Sequence, residues 1–101
     1  MPSFRWDNLG ITAYTQKIIY EEDGKTEKQR YVDTSQFVRF DQFGLYGLHW
    51  NGEEEFKPTK LQDIYDNADF GMTWEKFFIK SKSSTGSVEI SSEKDILIKA
   101  A

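Results

Sequence analysis

Apolar and polar positions alternate through the middle of the chain. In Val38-Arg39-Phe40 the alternation sets Val38 and Phe40 on one face and Arg39 on the other, the period of a half-buried strand. A turn signal follows in Asp41-Gln42-Phe43-Gly44, with Asp first to accept local backbone hydrogen bonds and Gly fourth. The whole stretch Val38-Arg39-Phe40-Asp41-Gln42-Phe43-Gly44-Leu45-Tyr46-Gly47-Leu48 aligns without gaps with Phe4-Arg5-Trp6-Asp7-Asn8-Leu9-Gly10-Ile11-Thr12-Ala13-Tyr14, 34 residues earlier. The repeat predicts that residues 4–14 and 38–48 form equivalent strand-turn-strand units. Each buries too little alone and should stack on its neighbours. At the same offset Trp74-Glu75-Lys76-Phe77-Phe78-Ile79 keeps the aromatic, the acid and the aliphatic, with Phe78 in place of glycine. It reads as a degenerate third copy.

The remaining pattern is also mostly strand. Ile11 to Tyr20 is rich in Thr, Tyr and Ile and runs into Asp23-Gly24, a strong hairpin signal with polar arms on both sides. Glu21, Glu22 and Glu27 face Lys25, Lys28 and Arg30 across this exposed ribbon, residues 18–31. Such surface pairs contribute only about 0–1 kcal/mol each. Gln36 to Trp50 holds the densest aromatic cluster, and Gly44 and Gly47 inside it signify either a bend or the close approach of another backbone, as across an oligomer axis. Pro58-Thr59-Lys60-Leu61-Gln62 starts a helix with Thr59 as N-cap and Gln62 as its capping-box partner. Leu61, Ile64, Tyr65 and Ala68 follow at helical spacing, and Asn67 to Gly71 should end an element of about ten residues. Met72 to Lys82 returns to strand, with Trp74 and Phe78 on one face and Phe77 and Ile79 on the other. Val88 to Ile90 and Ile96 to Ile98 are the arms of a last hairpin. The expected fold is mainly β: repeated hairpin units with one short α-helix near residues 60–68, in a single module over residues 1–101.

Composition narrows the core and the partners. With 38% apolar but 16% aromatic residues among 101, the chain builds one modest core out of a few large rings. A net charge of −4 with both signs interspersed provides no basic patch to neutralise phosphates, so nucleic acid is not an expected partner. There is no cysteine, hence no disulfide and no thiolate metal site. His49 alone cannot make a multi-histidine site, and Glu53-Glu54-Glu55 reads as a solvated loop, because adjacent glutamates do not supply the alternating oxygens of a calcium loop. Neither a metal nor another cofactor is expected. No apolar run approaches the roughly 20 residues that cross a bilayer, and the first residues lack a secretory pattern, so membrane insertion is not expected either.

Catalysis needs a nucleophile with a base, a metal, or paired carboxylates in a cleft. His49 lies between Leu48 and Trp50 with nothing in the sequence tying it to a particular Ser or Asp, and the carboxylates are scattered over turns. The chain is expected to be non-enzymatic. Carbohydrate binding would need exposed rings to stack on sugars, for which Tyr46, Trp50 and Trp74 are the candidates, provided that at least two lie exposed on one face. The opposing consideration is that a chain with few aliphatics must use its aromatics inside.

Phe4 to Tyr14 and Phe37 to Gly47, followed in order by Phe70-Gly71-Met72-Thr73-Trp74 and Gly86-Ser87-Val88-Glu89-Ile90-Ser91-Ser92, resemble a segment of the minor structural proteins in tails of phages and prophages of Gram-positive bacteria. The resemblance implies an extended β-rich module of a tail tip, tail fibre or baseplate, contributing to tail assembly and host attachment. It implies a place in the virion, or in the bacterial cytoplasm as a prophage product. The partners implied are other tail proteins, copies of the chain itself as a trimer, or cell-wall glycan. It carries no catalytic motif. The relatives are segments of long proteins, so the resemblance also implies a piece of a longer tail protein. Unpaired strand edges in a module of this size predict a homo-oligomer; the charged hairpin at residues 18–31 is the feature that would blunt an edge instead.

Overall fold

A computed structural model describes residues 2–82 and 84–101. The chain is mainly β. Its elements are β1 (Phe4–Asp7), β2 (Gly10–Tyr20), β3 (Glu27–Asp41), β4 (Gly44–His49), α1 (Leu61–Asn67), β5 (Phe70–Thr73) and β6 (Phe77–Ile79). The six strands form one antiparallel sheet in chain order.

The two copies of the repeat are equivalent hairpins. Asp7 pairs with Gly10 to close β1–β2, and Asp41 pairs with Gly44 to close β3–β4. In each turn the Asp Oδ1 accepts the N–H two residues on, from Leu9 at 2.9 Å and from Phe43 at 2.8 Å. The closing glycines adopt φ +106° and +135°, a region in which a Cβ is strained. The second strand of one copy pairs with the first strand of the next, as in Thr12 opposite Arg39.

A third hairpin exists, but in a different frame from the one the repeat suggests. The β5–β6 turn has Trp74 and Glu75 at its centre, with the Thr73 N–H donating to the Lys76 carbonyl at 2.9 Å. The Thr73 hydroxyl oxygen accepts from the N–H groups of Glu75 and Lys76, both at 3.3 Å. Thr73 therefore takes the place of Asp41, where the 34-residue offset would put Glu75. A hydroxyl one carbon from the backbone can close a local ring that the longer glutamate does not close here. The expected continuous strand from Met72 to Lys82 is consequently split, and Trp74 lies in the turn.

The β2–β3 hairpin is the exposed ribbon that its polar arms predict. At its tip Asp23 accepts from the N–H groups of Lys25 and Thr26, both at 2.8 Å, and from the Thr26 hydroxyl at 2.6 Å. These bonds, the Thr26 hydroxyl first, hold the Asp23 carboxyl below its ordinary value of 3.8. The stabilisation of the tip is thus fully present above pH 3.8 and is lost as the pH falls through the lower folded value. A carboxyl-carbon NMR titration of Asp23 should give a midpoint below 3.8, with the Thr26 amide moving in parallel; a midpoint at or above 3.8 would contradict this turn.

The helix starts one residue later than expected. Lys60, not Thr59, is the extended N-cap residue, and Asp63 is the reciprocal partner in place of Gln62. The Asp63 Oδ2 accepts from the N–H groups of Thr59 at 2.8 Å and Lys60 at 3.3 Å. A carboxylate at this position accepts more strongly than the Gln62 amide, which turns instead to Asp66 at 2.8 Å. The helix has seven residues and stops where the Ala68 N–H donates to the Ile64 carbonyl at 2.8 Å.

The core lies on one face of the sheet. Tyr14, Phe37, Tyr46, Leu48, Phe56, Ile64 and Ala68 form it, under residues 50–58 and α1. Its rings meet edge to face, Tyr14 on Phe37 at 5.5 Å and Trp50 on Phe56 at 5.1 Å. Residues 84–101 contain no strand, so the hairpin expected from Val88 to Ile90 and Ile96 to Ile98 does not form. Three-residue arms around a five-residue connection without glycine offer too few pairs to persist away from the main sheet.

Candidate functional site

The period in Val38-Arg39-Phe40 is present, but the side it buries is that of Arg39. Arg39 is 0% exposed, whereas Phe40 is 59% exposed. The guanidinium donates from Nε to the Thr12 hydroxyl at 2.9 Å and from Nη1 to the Phe56 carbonyl at 2.6 Å, and its Nη2 lies 3.5 Å from Glu55 Oε1. It also stands 5.0 Å from the centre of the Phe37 ring. Glu55 is shared: Arg5 pairs with it, and the Tyr14 hydroxyl donates to it at 3.0 Å. Of the acidic run read as a solvated loop, Glu53 and Glu54 are exposed, but Glu55 pins residues 50–58 to the sheet. Two arginines in the first strands of the two repeat copies thus hold the layer that covers the core.

The opposite face follows from the register. One row across all six strands is Phe4, Ala13, Val38, Gly47, Phe70 and Ile79. The next row is Trp6, Ile11, Phe40, Leu45, Met72 and Phe77. None of the twelve has a charged or hydrogen-bonding group except the Trp6 indole. Among the described residues no layer covers these rows: Trp6 is 82% exposed and Phe77 67%. The Phe70 ring lies over Gly47, within 2.3 Å of where a Cβ would be, so the close approach at that glycine comes from a side chain of the same molecule. Leu45, Phe70, Met72, Phe77 and Ile79 line a shallow cavity of about 360 Å³. Monomeric soluble proteins seldom expose a contiguous apolar patch above a few hundred Å², and larger ones mark interaction sites.

The three candidate sugar-stacking rings are not brought together. Tyr46 shares the inner row with Arg39 and is 0% exposed, because β4 turns its even-numbered side chains inward. Its hydroxyl donates to the Asp41 carboxylate, and burial, then that bond, raises its pKa well above the ordinary tyrosine value. Trp50 is half-buried against the core, its Nε1 donating to the Glu54 carbonyl at 2.8 Å. Trp74 alone of the three is exposed, at 86%, with Nε1 donating to the Gln42 carbonyl at 3.0 Å. The requirement of two exposed rings from this trio on one face is not met. His49 is exposed and its Nδ1 lies 2.5 Å from Asp69 Oδ2, a pairing that sequence reasoning did not find.

What sequence reasoning missed is the outer face itself, above all Phe4, Trp6, Phe40, Met72 and Phe77. The signal was available in the repeat, whose aligned positions Phe4/Val38, Trp6/Phe40, Ile11/Leu45 and Ala13/Gly47 fall on one side of both hairpins. Among the described residues no helix is long and apolar enough to cross a membrane. No protein-family model, curated protein or solved structure matches the chain.

Proposed function

We propose that the chain is a non-enzymatic structural module that acts by association, within a phage tail tip or fibre as the resemblance of its repeat implies, with the open sheet face as its contact surface. The observation that carries this reading is the pair of apolar rows running across all six strands, with Phe4, Trp6, Phe40, Phe70, Met72 and Phe77 exposed along them. Leaving that much apolar surface in water forgoes about 25 cal/mol for each Å² that a partner would cover. Host attachment follows from placement in such an assembly and needs no site on the module itself.

The test is co-expression with the proteins encoded beside it, followed by purification of the complex. Trp6→Thr with Phe40→Thr should abolish the complex while far-ultraviolet circular dichroism stays unchanged, since both side chains are exposed and threonine suits a strand. A complex indifferent to this pair, or none with any neighbour, would defeat the reading.

Glycan binding is the alternative reading, and the exposed Trp74 ring, steadied by its bond to Gln42, is what favours it. It makes the opposite prediction. Retention on cell-wall polysaccharide should be lost in Trp74→Ala and kept in the Trp6→Thr, Phe40→Thr pair.

A further inference from the structure

An antiparallel sheet commonly packs one face on a core and turns a polar face to water, but here the face turned to water is apolar as well. On the inner face a covering layer is supplied by residues 50–58 and α1, held down through Arg5, Arg39 and Glu55. On the outer face none of the described residues supplies one, although the rows there carry five large rings, Phe4, Trp6, Phe40, Phe70 and Phe77. We propose that the missing layer is a second copy of this chain, packed outer face to outer face about a twofold axis. This rests on the reading of the outer face as a contact surface and names its partner.

Three observations select a second copy. The first is area. Phe4, Trp6, Phe40, Phe70, Met72 and Phe77 and their neighbours in the rows expose on the order of 800–900 Å², the share that one partner contributes to a standard stable interface of about 1,600 Å². The second is charge. The two rows contain no charged residue, so two copies can meet without burying an unpaired charge. The third is geometry. Two sheets pack face to face about 10 Å apart with their strands within about 30° of alignment, their inner side chains interdigitating. This face offers large rings at Phe4 and Trp6 on β1, Phe40 on β3, Phe70 on β5 and Phe77 on β6, with the small side chain of Ala13 between Phe4 and Val38. Such a pairing yields a β-sandwich with an α1 layer on each outside. It differs from the edge-to-edge association that unpaired strands alone would suggest, because the buried groups are side chains and the strand edges stay free.

Sedimentation equilibrium of the full chain over a wide concentration range, with wild type, Phe40→Asp and Trp74→Ala, provides the test. Wild type and Trp74→Ala should reach twice 11.8 kDa. Phe40→Asp should raise the dimer dissociation constant at least about a hundredfold, as expected for charging the centre of an interface. Should Phe40→Asp lose its circular dichroism signal, Phe40→Thr serves in its place. Because the chain has no cysteine, Val38→Cys on the outer face should cross-link two copies with a short bismaleimide, whereas Lys28→Cys on the ribbon should not. A mass of 11.8 kDa at every concentration overturns the proposal, as does an oligomer that survives Phe40→Asp and leaves Val38→Cys uncross-linked. An apolar fluorescent dye then separates the two claims. If the monomer binds it and Phe40→Asp does not, the face is open to a different protein and only the second copy is refuted. If the wild-type monomer excludes the dye, the face is not open, and the contact-surface reading falls as well.

Discussion

Arg39→Ala is expected to leave much of the chain unfolded at room temperature. The substitution removes the donor to the Thr12 hydroxyl and the Phe56 carbonyl, and it strips Glu55 of one of its two arginines. It also leaves a hole beside Phe37 and Phe56, over whose rings the guanidinium lies. Leaving the buried Thr12 hydroxyl and Phe56 carbonyl unpaired costs about 1–3 kcal/mol each, and the cavity adds to that, against a total of about 5–15 kcal/mol for a typical domain. A chain whose sheet is covered on one side sits toward the lower end of that range. Arg39→Lys should fail nearly as badly, since one ammonium cannot take the places of Nε and Nη1, which meet the Thr12 hydroxyl and the Phe56 carbonyl together. Arg39→Met, which keeps most of the stem volume and leaves Glu55 with Arg5 and Tyr14, should cost less than alanine. Urea unfolding followed by tryptophan fluorescence measures all three. A loss under about 1 kcal/mol for Arg39→Ala would mean that Arg39 is not buried and that the faces of the sheet are reversed.

Gly44→Ala comes next in size. Gly44 has φ +135°, and a Cβ added there would lie 2.0 Å from the Met72 carbonyl oxygen and 3.0 Å from the Thr73 Cα. These are backbone atoms of the neighbouring strand and cannot swing aside, so the turn or the β4–β5 pairing must open. Backbone strain with the clash should cost roughly 2–4 kcal/mol. Gly10, its equivalent in the first repeat copy, meets the Phe40 carbonyl oxygen at 2.3 Å and should behave alike. Gly24 is the control, with φ +71° and nothing within 4 Å of an added Cβ. Gly24→Ala should cost only about 1–2 kcal/mol, the left-handed penalty alone. Equal losses at Gly44 and Gly24 would show that β5 does not pair with β4 in this register.

These two sites also divide what was legible in the chain from what was not. Glycine at positions 10 and 44 closes a turn opened by Asp7 or Asp41, and both partners of that arrangement lie within four residues. The same holds for Asp23-Gly24 and for the helical spacing of Ile64, Tyr65 and Ala68. Where a near neighbour competed, the reading slipped by one or two residues: Asp63 replaced Gln62 at the helix start, and Thr73 replaced Glu75 in the third turn. Both winners are short side chains whose oxygen reaches the backbone with little reorganisation.

The sequence by itself determined where the chain turns and that its strands have two unlike faces, because turn closure and side-chain alternation are properties of a few consecutive residues. Which face became the core was decided only in three dimensions. Arg39 went inside and Phe40 outside because Glu55 and the Phe56 carbonyl, the latter 17 positions along the chain, fold over one side of the sheet and pair with a guanidinium there. Tyr46 followed Arg39 inward as its cross-strand partner, and with it went the trio of sugar-stacking rings. A buried charge is tolerable only beside its partners, and those partners are brought to it by the fold and not by their place in the chain.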